Sequence, residues 1–305
     1  MTTGSVALPS EIIQGDSAGP HLVITGGVHG DEFEPMVAIR RVVRTVDRTT
    51  LRGRLTLVPV VNEAAFARGD RVAEDGLDLA RTCPGKADGS VTERVAYALS
   101  NLIRSADYYI DLHTGGTKLA VWPLAGYMLH HDAEVLEKQR LMARAFNLPV
   151  VWGTDAKLEG RSLSVARDAK VPAIYAEYLG GGQCSAPGIE AYVDGCLNVL
   201  AALKMLDRPP QPSRVQFVVE DPRPSSGHMQ RCYPAPRDGF FEAFVELGEP
   251  IRSGQPIGRI VDVLGSQAHE IIAQESGRIL VLRTFPAIRK GDSLAVILPI
   301  DVSHD

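Results

Sequence analysis

Cysteine is scarce and scattered in this chain: its four residues, Cys83, Cys184, Cys196 and Cys232, form no C-x-x-C pair. That spacing excludes a cysteine-built zinc site and argues for reduced thiols rather than a disulfide frame. Positive charge is outnumbered, with 32 Lys and Arg against 37 Asp and Glu. A formal net charge of −5, with no lysine- or arginine-rich stripe, leaves nothing to grip a phosphate backbone, so nucleic acid is excluded as a partner. No apolar run reaches the ~18 residues of a membrane span. The first residues, MTTGSVALPSEIIQGD, carry no basic stretch followed by an apolar core. The expectation is a cytoplasmic protein with no membrane partner. Repeats and low-complexity tracts are also missing. What is present is a 305-residue chain, 45% hydrophobic and 23% charged, able to bury one large core or two smaller ones. Any metal must be held by histidine and carboxylate.

From Leu22 to about Leu206 the pattern alternates. HLVITGG reads as a strand, and Met36, Ile39, Val43 and Val46 follow at helical spacing, with Pro35 suited to a first turn. RLTLVPVVN is strand-like again. Ser90 and Glu93 form a capping box ahead of the apolar stripe Val95, Leu99, Leu102 and Ile103. YYIDLHTGG and PAIYAEYLGGG are short buried strands, DAEVLEKQRLMARAFN is an amphipathic helix, and Ile189, Val193, Cys196 and Leu200 mark another. This is α/β order, with a parallel or mixed sheet covered on both faces. At LDRPPQPSR the prolines stop any helix and suggest a linker, which divides the chain into 1–207 and 208–305. Beyond it, short β-prone runs separated by Gly and Pro predict a small antiparallel β domain.

Ligands of open α/β sheets sit at the carboxyl ends of strands. Three such places carry chemistry: His29 and Glu32 in H-x-x-E spacing, His113 at the end of YYIDLH, and Glu177 in IYAEYLGGG. Two histidines and one carboxylate leave a fourth position on a tetrahedral zinc for water, as in catalytic sites. A carboxylate at the mouth, Glu177, can then act as general base and acid. Each piece has a plainer reading. H-x-x-E is common in surface loops, and His113 alone suits a hydrogen-bonded core histidine. Glu177 is harder to dismiss, because an unpaired buried carboxylate is costly. All three at strand ends favour metal. Asp111, two before His113, either orients a ligand or caps the strand end. Cys184 lacks the context of a nucleophile, and His130 and His131, ahead of a helix, are expected at the surface.

The ordered motifs GGVHGDE, VNEAAFARGDR, DGLDLARTCPGK, DLHTGG and AEYLGGG resemble the succinylglutamate desuccinylase/aspartoacylase family, relatives of the zinc carboxypeptidases. The spacing is most similar to the bacterial branch with N-acetyl-diaminobutyrate deacetylase-like proteins. The resemblance implies a carboxypeptidase-like three-layer α/β/α domain. It also implies one zinc ion per chain on His29, Glu32 and His113, with Glu177 as the catalytic carboxylate. It further implies that Arg71, nine residues after Asn62, polarises the scissile carbonyl, that Asn62 belongs to the substrate-binding turn, and that Arg81 grips a substrate carboxylate. Two positions depart from the family: Glu63 stands where it has Pro, and Ala80 where it has Asn. The Ala80 departure weakens or reshapes the carboxylate clamp. On residue type alone, Arg68, Arg71 and Arg81 also read as solvated loop arginines.

The C-terminal segment, with its paired phrases GEPIRSGQPIG and FPAIRKGDSL, resembles a lipoyl- or biotinyl-type β hammerhead. DVLGSQAHEI lacks the lysine a carrier needs at its tip, so a lid or interface is expected instead. The function expected is a zinc-dependent amidohydrolase that removes the acyl group from an N-acylated small amino acid or related amine. The alternatives are a non-catalytic small-molecule binding or regulatory protein, and a metallocarboxypeptidase acting on peptides. A homo-oligomer stays open.

Overall fold

Along the strand Ser17–Thr25 (β2), Leu22 and Ile24 enter one apolar cluster and Val23 another. This alternation is what a strand covered on both faces requires. The computed structural model describes residues 6–229 and 232–300, so the first five residues of the N-terminal stretch lie outside it. Its first part runs β1 (Glu11–Gln14), β2, α1 (Phe33–Thr45), β3 (Arg52–Val58), α2 (Glu63–Arg68), a 3-10 turn (Leu79–Arg81) and α3 (Val91–Arg104). It continues with β4 (Tyr108–His113), β5 (Leu119–Met128), α4 (Ala133–Phe146), β6 (Val150–Thr154), α5 (Ser162–Asp168), β7 (Ala173–Gly180) and α6 (Ala186–Ala202). Strands then follow: β8 (Phe217–Glu220), β9 (Gly239–Ala243), β10 (Pro250–Ile251), β11 (Pro256–Val261), β12 (Ala268–Ile272), β13 (Gly277–Arg283), β14 (Ala287–Ile288) and β15 (Ala295–Leu298).

The large mixed sheet is ordered β1-β3-β2-β4-β7-β5-β13-β10, with β6 on β5, β8 on β6 and β15 on β13. Its centre is parallel, β3 and β4 flanking β2, and β7 beside β4. Helices α1, α4 and α6 cover one face through Ile39, Val42, Met142, Phe146 and Leu200. Helices α3 and α5 cover the other through Val95, Leu99, Ile103, Leu163 and Val165. The capping box that starts α3 is formed: Ser90 Oγ accepts from the Glu93 amide, and the Glu93 carboxylate accepts from the Ser90 amide. Asp75 reinforces it, accepting from Ser90 Oγ and from both the amide and hydroxyl of Thr92 at 2.6–2.9 Å.

The chain past the proline-rich stretch divides. Strands β9, β11, β12 and β14 form a separate four-stranded antiparallel sheet, whose Phe241, Ile257 and Ile260 pack against Ile279 and Ile297. Strands β8, β10, β13 and β15 instead extend the large sheet, β13 pairing with β5 from Val281↔Val121 to Arg283↔Leu119. No α-helix follows α6 among the described residues. None of the helices there is long and apolar enough to cross a membrane. One expectation is corrected. His130 is not at the surface but 8% exposed, its Nδ1 accepting from the Asp132 amide at the start of α4, while His131 stacks on it.

Candidate active site

The parallel register sets the side chains of the site on one face. His113, the last residue of β4, lies directly across from Glu177 of β7, and Asp111 from Tyr175. Because side chains alternate, all four face the α3/α5 side, while Leu112 and Ala176 between them fill the opposite core. The loop from Gly26 to Glu32 carries the other members across the end of β2. It passes so close to α2 that a Cβ at Gly30 would lie 2.1 Å from the Ala65 carbonyl carbon, so only glycine fits there. Glu32 stands at the N-cap position of α1, yet its side chain makes no capping bond. It turns inward, 1% exposed.

There, His29 Nδ1 lies 2.7 Å from Glu32 Oε1, and His113 Nδ1 lies 3.0 Å from Glu32 Oε2. The two rings are 5.2 Å apart, centre to centre. Their remaining nitrogens are also held by carboxylates, His29 Nε2 by Asp78 Oδ1 and His113 Nε2 by Asp111 Oδ2, each at 3.1 Å. Asp111 is fixed in turn, accepting from Thr25 Oγ1 at 2.8 Å and from Ser162 Oγ. If each Nε2–H donates to its outer carboxylate, each Nδ1 presents a lone pair to the lone pairs of Glu32, an arrangement that only a positive charge between them makes favourable. The same pull shows in His113. Burial works against its protonation, but Asp111 and Glu32 raise its pKa well above the ordinary value. Burial likewise opposes ionisation of Glu32, and the two histidines hold it below the usual carboxylate range. One ligand atom from each of His29, Glu32 and His113 falls within 4.8 Å of the others, so these residues suit a metal ion.

Glu177 has a different environment. It is 6% exposed, and its Oε2 is buried without a hydrogen-bond partner among the described residues. Burial pushes its pKa up to about 8, Glu32 and Asp111 adding to the rise while His113 and Arg71 oppose it. A carboxyl with that proton affinity suits a group that takes and returns a proton near neutral pH.

Arg71 and Arg81 both line the cavity with His29, His113 and Glu177. Asp78 Oδ2 accepts from Arg71 Nε at 3.1 Å and Nη2 at 3.0 Å, and Arg71 Nη1 lies 3.7 Å from Glu32 Oε1. Arg81 Nη1 donates to the Ala80 carbonyl at 2.6 Å. The structure does not bring Asn62 to this cavity. Asn62 is fully buried as the N-cap of α2, its Oδ1 accepting from the Ala65 amide at 3.1 Å. Arg68 and Cys184 are exposed and outside the lining, and burial with nearby Glu34 raises the Cys184 thiol.

Sequence reasoning missed two members. Asp78 was visible only as a neighbour of Arg81, and nothing in the pattern announced that it holds both His29 and Arg71. Arg161, just ahead of α5, lines the cavity with its guanidinium held by the Gly227 carbonyl at 3.2–3.3 Å and its Nε buried without a partner. Burial lowers its pKa, with Tyr175, Asp78 and Glu177 acting the other way. Gly160 (φ +78°) lets this loop cross the Arg81 backbone, where a Cβ would meet the carbonyl oxygen at 2.6 Å. The only sequence signal was a Gly-Arg-Ser before a helix of seven residues, too short for periodicity to register. Gly227 and Met229, from beyond the proline-rich stretch, complete this wall.

A family model for the succinylglutamate desuccinylase/aspartoacylase catalytic domain matches residues 18–203. Over 308 aligned residues the chain is 33% identical to N-alpha-acetyl-L-2,4-diaminobutyric acid deacetylase of Halomonas elongata, spanning 97% of this chain and 87% of that protein. Among solved structures it is similar to a succinylglutamate desuccinylase from a Silicibacter species, with a TM-score of 0.89, 28% identity, and 98% and 90% of the two chains covered. It is also similar to the product-bound ectoine utilization protein EutE of Ruegeria pomeroyi, with a TM-score of 0.87, 29% identity, and 97% and 90% covered. The chain belongs to the succinylglutamate desuccinylase/aspartoacylase family.

Proposed function

We propose that this protein is a zinc-dependent amidohydrolase that removes the acyl group from N-acylated amino acids in the cytoplasm. The observation that carries the reading is the convergence of His29 and His113 on Glu32, with the high-pKa carboxyl of Glu177 on the adjacent strand. His29, Glu32 and His113 would hold the zinc ion, and Asp78 and Asp111 orient the two imidazoles through their outer nitrogens. Zinc held there would supply Lewis acidity and acidify a water near neutral pH. Glu177 accepts that water's proton on its carboxylate and passes it to the nitrogen of the departing amine. Arg71, steadied by Asp78, donates to the carbonyl oxygen as negative charge grows on it. Arg161 and Arg81 hold the carboxylate of the amino acid, Arg161 because its buried guanidinium has only a backbone carbonyl as acceptor among the described residues.

The relative from Halomonas is named for a deacetylase of an N-acetyl amino acid, which supports the same reaction class here. In this reading residues 1–207 form the hydrolase unit. Residues 208–305 form a C-terminal part that helps close the cavity through Gly227 and Met229. The test is a product assay: purified protein with zinc, offered a panel of N-acetyl and N-succinyl amino acids, should release free amino acid. Release from a dipeptide with a free C-terminus, but from no N-acyl amino acid, would point to peptidase activity instead.

A further inference from the structure

The cavity has an uneven charge inventory. Three guanidinium groups line it, from Arg71, Arg81 and Arg161, whereas Glu177 is the one carboxylate among the described lining residues. Arg71 is matched by Asp78. Arg161 donates to a carbonyl and forms no ion pair among the described residues. A substrate α-carboxylate at Arg161 supplies the anionic partner that this guanidinium lacks among the described residues. Much of the rest of the wall is apolar: Met128, Leu163 and Met229 are each 7% exposed or less, the ring of Tyr175 lines the same cavity, and Ala80 adds room. Of the three hydroxyls there, Ser162 donates to Asp111 and Thr154 donates to the Tyr127 carbonyl at 3.3 Å, while the Tyr175 phenol, neutral at physiological pH, offers an ammonium no charge to pair with.

We infer that this pocket selects N-acyl amino acids with an uncharged, apolar side chain and rejects those whose side chain ends in an ammonium. The inference rests on the deacylase reading and narrows it. An ammonium carried into this wall meets like charges and no free carboxylate. The one carboxylate within reach, Glu177, has to stay available to the reacting water. Thioether and isobutyl side chains, by contrast, offer an alkyl group of similar length a flexible, fully apolar contact.

An isosteric pair tests this: N-acetyl-L-norvaline and Nα-acetyl-L-2,4-diaminobutyrate differ only in a terminal methyl against a terminal ammonium. With zinc-loaded wild-type protein, kcat/KM should favour the norvaline derivative by roughly 100-fold, the scale of a like-charge mismatch in a desolvated site. Leu163→Asp, or Met229→Glu if the first variant folds poorly by circular dichroism, should narrow that ratio at least tenfold by giving the ammonium a partner. Free L-norvaline and L-2,4-diaminobutyrate, compared by the rise in melting temperature each produces, read the same preference without turnover. Equal or better handling of the diaminobutyrate compounds overturns the selectivity while leaving the deacylase reading intact. Hydrolysis of no N-acyl amino acid overturns the deacylase reading, and the melting shifts then decide the selectivity on their own.

Discussion

Asp78 holds His29 with one carboxylate oxygen and Arg71 with the other, at 3.1 Å to His29 Nε2 and 3.0–3.1 Å to the guanidinium. One side chain thus fixes both an imidazole of the proposed metal site and the guanidinium proposed to act on the carbonyl. Its third contact, from the Ala80 amide at 3.0 Å, anchors it to the turn that also carries Arg81.

Asp78→Asn is therefore expected to affect two functions together. Zinc affinity, measured by competition with a chromophoric chelator, should fall about 10- to 100-fold, the usual effect of losing an outer partner of a metal-bound histidine. At saturating zinc, kcat should still be reduced, because Arg71 has lost its ionic support. A variant with normal zinc affinity and normal kcat would mean that the two contacts are incidental.

Glu177→Gln should keep its zinc and its fold while kcat falls by about 10²–10⁴-fold or more, because an amide cannot accept the proton. The wild-type kcat/KM profile should lose activity toward acid, with a limb above the ordinary carboxylate range, since burial pushes this carboxyl up to about 8 and catalysis needs it ionised. A zinc ion held by His29, Glu32 and His113 would draw the limb down from that value.

The same shift has a stability consequence in zinc-free protein. Glu177 has a folded pKa above its unfolded one, so the native state holds the extra proton between the two. Its contribution is complete below the ordinary carboxylate range and is lost as pH rises toward about 8. Urea midpoints of chelated wild type should therefore drop, relative to Glu177→Gln, between pH 5 and pH 8.5. Parallel curves would show that the buried carboxyl costs nothing to ionise.

Arg161→Met keeps the buried stem and removes the charge. It should lower kcat/KM for N-acyl amino acids by about 10- to 100-fold, the range for losing a charge-assisted hydrogen bond. It should barely change hydrolysis of the matching N-acyl amines that lack the carboxylate. An equal loss on both substrate types would assign Arg161 to the fold.

Asp75 lies outside the chemistry and is expected to matter for stability alone. Burial raises its pKa, but hydrogen bonds from Ser90, Thr92 and Leu77 outweigh that and hold it down to about 2. Its contribution is thus present above the unfolded value and lost as pH falls through about 2. Asp75→Ala should cost about 1–3 kcal/mol at neutral pH by leaving the α3 start unsatisfied. The difference from wild type in urea melts should shrink toward pH 2.

The elements that proved legible were those with a strong local signature. HLVIT, YYIDLH and the strand around Glu177 are apolar runs bounded by glycine, and Ser90 with Glu93 announces α3. His113 ends its strand, His29 and Glu32 lie in the loop just past β2, and Glu177 lies within β7 directly across from His113, so finding the strands brought the candidate residues into one neighbourhood. What escaped depends on contacts between distant segments. Asp78 meets His29 from 49 residues away. Arg161 meets Gly227 from 66 residues away, across the proline-rich stretch. Asn62 was read from its position in a motif, and that pattern did not announce that the α2 N-terminus engages its side-chain oxygen. His130 misled because a histidine pair ahead of a helix looks solvated, whereas its ring folds back onto the helix start.

The central claim is that His29, Glu32 and His113 bind one zinc ion whose presence makes the protein a deacylase. The direct measurement is titration of zinc into chelator-stripped protein, with bound metal by elemental analysis and release of free amino acid from an N-acyl amino acid followed in the same samples. The account predicts that both rise together and level off near one zinc per chain, and that His113→Ala neither retains zinc nor gains activity. Full hydrolysis by stripped protein, or a His113→Ala variant that binds zinc as tightly as wild type, would contradict it.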